Sequence, residues 1–133
     1  MSIETAVVFD EEMKPIFWHT PLNRSAGHIG DSRGLWKVLM ENRDKVFGIA
    51  HSHPGGGKAA PSGIDLRTFS ACDLGLGKRL IWPIISKDSV RLFTWLGPEK
   101  YSYSQVFYDG KLYWLDGLMQ LSYGGKNERF NVI

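Results

Sequence analysis

Cysteine is all but missing from these 133 residues, with Cys72 the only one. A lone thiol excludes an internal disulfide, and with it a stapled secreted scaffold, and cannot by itself build a Cys-only zinc site. A charge excess of either sign is lacking too. Sixteen basic residues against fourteen acidic ones leave a formal net charge of +2, with no Lys/Arg block, so the footprint of a nucleic-acid binder is absent. No apolar run reaches the length of a membrane span, and the opening Met-Ser-Ile-Glu-Thr has neither the basic segment nor the apolar stretch of a signal peptide. A cytoplasmic chain with no nucleic-acid or membrane partner is expected. Repeats, low-complexity tracts and linkers are also wanting. What remains, 43% apolar and 23% charged residues, is close to the globular average and fits one domain over 1–133.

Aromatics are the one excess. They make up 13% of the chain, and Phe93, Trp95, Tyr101, Tyr103, Phe107, Tyr108, Tyr113 and Trp114 crowd its last third. Strand packing explains such a cluster, because flat rings suit a pleated surface, and contact with a partner or substrate is the competing explanation.

The pattern of elements is α+β. Thr5 to Phe9, the polar turn Asp10 to Pro15, and Ile16 to Trp18 read as a hairpin. Asp31 can cap a helix running to about Asn42 or Asp44, with Leu35, Val38 and Leu39 on one face. Val46 to His51 is a short buried strand that runs into a glycine loop. A second helix opens at Pro61-Ser62-Gly63-Ile64-Asp65, with Ile64, Thr68, Phe69 and Cys72 along one face and Gly75 or Gly77 as its stop. Arg79 to Ile85 and Val90 to Leu96 form a second hairpin, and Gln105 to Tyr108 with Lys111 to Leu115 a third around Asp109-Gly110. A mixed β-sheet flanked by two main helices follows.

The chemistry is concentrated in residues 51–65. On an extended chain residues two apart share a side, so His51 and His53 can turn two imidazoles to one point, an arrangement that suits zinc. Asp65 lies in the first turn of a helix, and the intervening glycine-rich loop is long enough to bring its carboxylate to that point. Two His and one carboxylate leave a fourth tetrahedral position open, as catalytic rather than structural zinc requires. Cys72 does not fill it: seven residues on along the same helix is roughly 10 Å, and it suits the helix core better. Ser62 has two roles open to it. Ser-x-x-Asp before an apolar helix is an N-cap pattern, and a hydroxyl beside the metal can also donate to a developing oxyanion. A Ser-His-Asp triad is disfavoured because no Gly-x-Ser-x-Gly elbow surrounds Ser62. His19 and His28 have no partner at ligand spacing and are left unassigned.

His-x-His-Pro followed by Pro-Ser-x-x-Asp resembles the signature of the JAMM (MPN-positive, JAB) zinc metalloproteases, among them deubiquitinating isopeptidases and small prokaryotic relatives. The resemblance implies an MPN/JAB-like, cytidine-deaminase-like fold, with a family core over about 3–96 and a short aromatic-rich β extension over 97–133. It implies His51, His53 and Asp65 as ligands of Zn2+, Ser62 as the oxyanion donor, and an upstream glutamate that moves the proton. Glu11 and Glu12 fall in a turn and Glu41 on the solvent side of a helix. Glu4, just ahead of Thr-Ala-Val-Val-Phe, is the candidate, against its other reading as a solvated residue at the chain start. One departure is an interval of eight residues, Pro54 to Pro61, where the family usually has seven; glycine and alanine can absorb it. The implied function is hydrolysis of a peptide or isopeptide amide, in the C-terminal tail of a ubiquitin-like or sulfur-carrier protein. Such an extended tail would add as a strand beside the motif strand, with aromatics along its path. The alternative is a non-catalytic MPN scaffold or protein-binding module that keeps the metal site.

Overall fold

The structure, a computed structural model, describes residues 5–20, 32–53, 59–123 and 131–132. Four consecutive apolar residues make β1 (Ala6–Phe9), buried throughout, and it pairs antiparallel with the edge strand β2 (Pro15–His19). The turn between them is organised by Asp10, whose Oδ1 accepts from the backbone N–H groups of Glu12 and Lys14 at 2.9 and 3.0 Å. Met13 closes it at φ 64. That left-handed conformation is costly for a residue with a long side chain, and here the side chain is held, 1% exposed, in the core.

Helix α1 (Ser32–Glu41) presents Leu35 and Leu39 to the sheet. Strand β3 (Gly48–Ser52) follows, buried at every position and flanked by β1 antiparallel and β4 (Ile81–Ile85) parallel. Gly48 is required at its start, because a Cβ there would sit 2.2 Å from the Ile81 carbonyl oxygen and 2.4 Å from the Phe9 ring. The crossover from β3 to β4 is α2 (Gly63–Leu76), which ends on Gly77 in the left-handed conformation. β5 (Ser89–Trp95) returns antiparallel to β4, as the turn at Ser86 to Ser89 predicts.

Beyond residue 96 the outcome departs from the expected third hairpin. β6 (Tyr103–Val106) pairs antiparallel with β5, but Lys111 to Leu115 is not a strand. A third helix, α3 (Leu115–Tyr123), begins there, and β7 (Asn131–Val132) then lies parallel to the start of β5. The strand order is β2-β1-β3-β4-β5-β6, with β7 also on β5. Asp109-Gly110 reads as a hairpin turn, yet Leu115, Leu118, Met119 and Ser122 carry the competing helical spacing, and the last three are buried.

Two cores result, one on each face of the sheet. On one face α1 and α2 pack through Leu35, Leu39, Leu66, Phe69 and Leu76 onto Ala6, Val8, Ile49, Trp82 and Ile84. On the other, α3 and the segment before it pack Leu112, Trp114, Leu118 and Met119 onto Val7, Phe9, Ala50, Ile85 and Leu92. The expected apolar face of α2 is rotated. Phe69 and Cys72 are buried, but Ile64 is 57% exposed and Asp65 points inward in its place, because the first turn of the helix faces a polar cluster rather than the apolar core.

Candidate metal centre

The α2 face of β3 carries the cluster. Alternation along β3 sends Ile49 and His51 to that face and Ala50 and Ser52 to the other, and His53, the residue after the strand, continues the first series. His51 is locked from all sides. It pairs with Ala6 on β1 and Ile84 on β4, its ring lies edge-on to Phe69 of α2 at 6.3 Å, and it is 1% exposed.

Asp65 is delivered by the start of α2. Ser62 is the N-cap: its Oγ accepts from the Asp65 N–H at 3.1 Å, and the Ser62 N–H donates to Asp65 Oδ2 at 2.9 Å, a reciprocal capping box. The capping half of the Ser62 reading thus holds. The same carboxylate meets both imidazoles, with Oδ1 3.0 Å from His51 Nε2 and Oδ2 2.9 Å from His53 Nε2. The two Nε2 atoms are 3.2 Å apart.

Two ring nitrogens and one carboxylate face one point, and each imidazole offers a lone pair there when its Nε2 is unprotonated. A cation there would satisfy all of them at once. Metal–ligand bonds of about 2.0–2.2 Å put tetrahedral ligand atoms roughly 3.3–3.6 Å apart, so the cluster, whose donor atoms all lie within 4.8 Å of one another, fits one ion with a few tenths of an ångström of adjustment. Burial is the largest single influence on Asp65 and opposes its charge, but attraction to His51 and the hydrogen bonds from His51, His53 and the Ser62 backbone outweigh it. The carboxyl is held well below the usual carboxylate range, ready as an anionic ligand.

Cys72 takes no part. It is a buried free thiol outside the cluster of His51, His53 and Asp65, pushed up to about 12 by burial first and then by the charge of Asp73. Of the glutamates, Glu11, Glu12 and Glu41 are exposed, as expected of solvated charges. Glu4 and His28 lie outside the described residues, as do Asp31 and the glycine loop at 54–58. His19 is buried on β2, opposite Ala6, and lies outside the cluster.

Three residues that shape the site escaped the sequence reading. Ser52, between the two histidines, points to the α3 face, where its Oγ accepts from the Thr5 N–H at 3.0 Å; its own N–H donates to the Thr5 carbonyl at 3.1 Å. It therefore clamps the start of β1 to the end of β3. Asp73, near the far end of α2, accepts at 3.2 Å from both the Leu80 N–H and the Trp82 indole. Trp82 stacks on Phe69 at 4.4 Å, and Phe69 in turn backs His51. Burial raises Asp73 to about 6, against the lowering effect of those two donors and of Arg79. Tyr123, the last residue of α3, donates from its hydroxyl to the His53 carbonyl at 3.1 Å. The pattern that betrays Ser52 and Tyr123 is tertiary, with separations of 47 and 70 residues.

The expected path for an extended tail is corrected. Both edges of β3 are taken, by β1 and by β4, so no strand can add there. The exposed aromatics Tyr101, Tyr103 and Phe107 sit at the β6 end of the sheet, three strands from β3. Among the described residues no helix is long and apolar enough to cross a membrane. No curated protein matches the chain. The family model for prokaryotic homologs of the JAB domain matches residues 4–96, from Glu4 through β5, and stops before β6 and α3.

Proposed function

We propose that this chain, which belongs to the prokaryotic homologs of the JAB domain, is a zinc-dependent amide hydrolase with His51, His53 and Asp65 as the ligands. The observation that carries the reading is the convergence of two imidazole nitrogens and a carboxylate within 4.8 Å, inside the matched segment. Two nitrogens and one oxygen suit zinc, and three protein ligands leave a tetrahedral position open to water or substrate. When bound, zinc supplies Lewis acidity towards a carbonyl and lowers the pKa of a water.

The chain's own groups divide the remaining work. Ser62 accepts from the Asp65 N–H, which leaves its hydroxyl proton for donation, and it is exposed beside the ligands. It donates to the oxyanion that develops on the scissile carbonyl. Glu4 takes a proton from the attacking water and returns it to the leaving amine. In sequence it precedes Ala6 by two residues, and Ala6 is the partner of His51 in the β1–β3 register. No covalent intermediate is required.

The substrate class is an extended peptide tail, as in a ubiquitin-like or sulfur-carrier protein. With β3 closed on both edges, the tail runs over the exposed start of α2, past Ser62, Gly63 and Ile64. The test is incubation of the zinc-loaded chain with ubiquitin-like and sulfur-carrier fusions, with and without chelator, and location of the cut by mass. A cut lost with chelator and in Glu4→Gln and Ser62→Ala is expected. A cut that survives chelation, or full activity in Glu4→Gln, sinks the mechanism. Zinc binding with no cut in any fusion favours the non-catalytic scaffold.

A further inference from the structure

We infer that Tyr123 is a positioning residue for the metal centre: from the opposite face of the sheet, its hydroxyl fixes the backbone of His53. The inference rests on the metal reading above and adds to it a contribution from the part of the chain beyond the family match.

The two histidines are held very differently. His51 is inside the ladder, with paired neighbours on both sides and a side chain 2% exposed, whereas the His53 side chain is 17% exposed at the strand exit. Ser52 and Ile85 are the last partners in the β3–β4 register, and the His53 N–H still donates to the Ile85 carbonyl at 2.8 Å. The carbonyl of His53 is therefore the point where the sheet stops dictating the chain. Tyr123 takes over there. Its hydroxyl donates to that carbonyl at 3.1 Å, with the Ile85 carbonyl as a second, longer acceptor at 3.5 Å.

Holding that carbonyl fixes the backbone of His53 at its exit from the strand, and with it the direction from which the imidazole meets Asp65 and His51. The hydroxyl is itself well anchored. Tyr123 packs against the core formed by Leu112, Trp114, Leu118 and Met119, so a rigid helix on one face sets the angle of a ligand on the other. Through this one hydroxyl α3 serves the metal site, while its apolar core serves the fold.

The experiment compares zinc affinity of the full chain, by competition with a chromophoric chelator, in wild type, Tyr123→Phe, Leu118→Ala and His53→Ala. Phe keeps the ring and removes only the donor, so Y123F is expected to bind zinc about tenfold more weakly, at the low end for loss of an outer partner. Its cobalt-substituted form should show an altered visible spectrum, because the ligand angle changes. L118A removes core volume under the same helix but keeps the Tyr123 hydroxyl and its bond to the His53 carbonyl, so it should lower thermal stability while the folded protein keeps wild-type affinity. In the wild type, the Tyr123 ring resonances should move on zinc addition, since coupling is reciprocal; this reading applies even if Y123F does not fold. Equal affinity in Y123F and wild type, equal weakening by L118A, or an unmoved Tyr123 resonance would overturn the inference. Zinc binding absent from the wild type would overturn the metal reading and this inference together.

Discussion

The two faces of the sheet are packed with similar completeness but under different demands. On the α2 face, the buried layer of Ile49, Phe69, Trp82 and Ile84 is interrupted by His51 and Asp65, 1% and 7% exposed. On the α3 face, Phe9, Ala50, Ile85, Trp114 and Leu118 make a core with no ionisable group among its members. Polar groups persist in a core only when each finds a partner. The α2 face holds the proposed metal centre and depends on residue identity, whereas the apolar core of the α3 face, Ser52 and Tyr123 apart, needs only volume and apolarity. Substitutions on the first should remove function, and those on the second stability.

The largest effect should come from the polar interruption. Asp65→Asn keeps the volume and an acceptor for the Ser62 N–H but removes the anionic ligand. Zinc affinity, read by metal content after dialysis, should fall by more than about a hundredfold, beyond the loss expected from any outer partner. Retained zinc would break the division between the faces.

Next in size is the apolar face. Trp114 is fully buried and stacks on Phe9 at 5.4 Å, so Trp114→Ala should cost about 3–5 kcal/mol in denaturant unfolding. The zinc affinity of the folded fraction should change far less than in Asp65→Asn. If both quantities fell together, the two faces would be one cooperative site rather than a chemical face and a supporting one.

The smallest effect depends on pH. Burial pushes the Asp73 carboxyl up to about 6, above its ordinary value of 3.8. A raised folded value means that the folded state holds the proton more tightly. The associated stabilisation is complete below the unfolded value and is lost as pH rises through about 6. That difference corresponds to roughly 3 kcal/mol at most. Asp73→Asn, still able to accept from Leu80 and Trp82, should therefore gain stability over wild type as pH goes from 4 to 7. A difference that stays flat, measured by denaturation at each pH, would show that Asp73 contributes no such linkage.

Legibility follows the same division. Residues of the proposed metal centre leave a pattern in the sequence, His51 and His53 at strand spacing and Ser62 and Asp65 at capping spacing, as does the glycine at the stop of α2. The three candidate ligands do converge, and the first two hairpins are where turn residues place them. Residues that serve packing leave a weaker trace. Aromatic residues after 100 suit strands, and Tyr103 does lie in β6 against Phe93, yet Trp114 plugs a core and leads into a helix, while Tyr101 and Phe107 stay exposed. Ile64 was expected inside and is outside, because the rotation of a short amphipathic helix is set by what its first turn must touch.

By itself the sequence determined which atoms can meet a metal and roughly where each element begins, since strand alternation, capping and turn chemistry act over a few residues. Only the tertiary structure decided which strand closes each edge of β3, and that Ser52 holds the start of β1. It also decided that Tyr123, seventy residues along the chain, reaches the backbone of His53. The physical reason is range. A local pattern fixes the direction of a side chain, but a hydrogen bond across the sheet exists only once apolar burial has brought α3 to its far face.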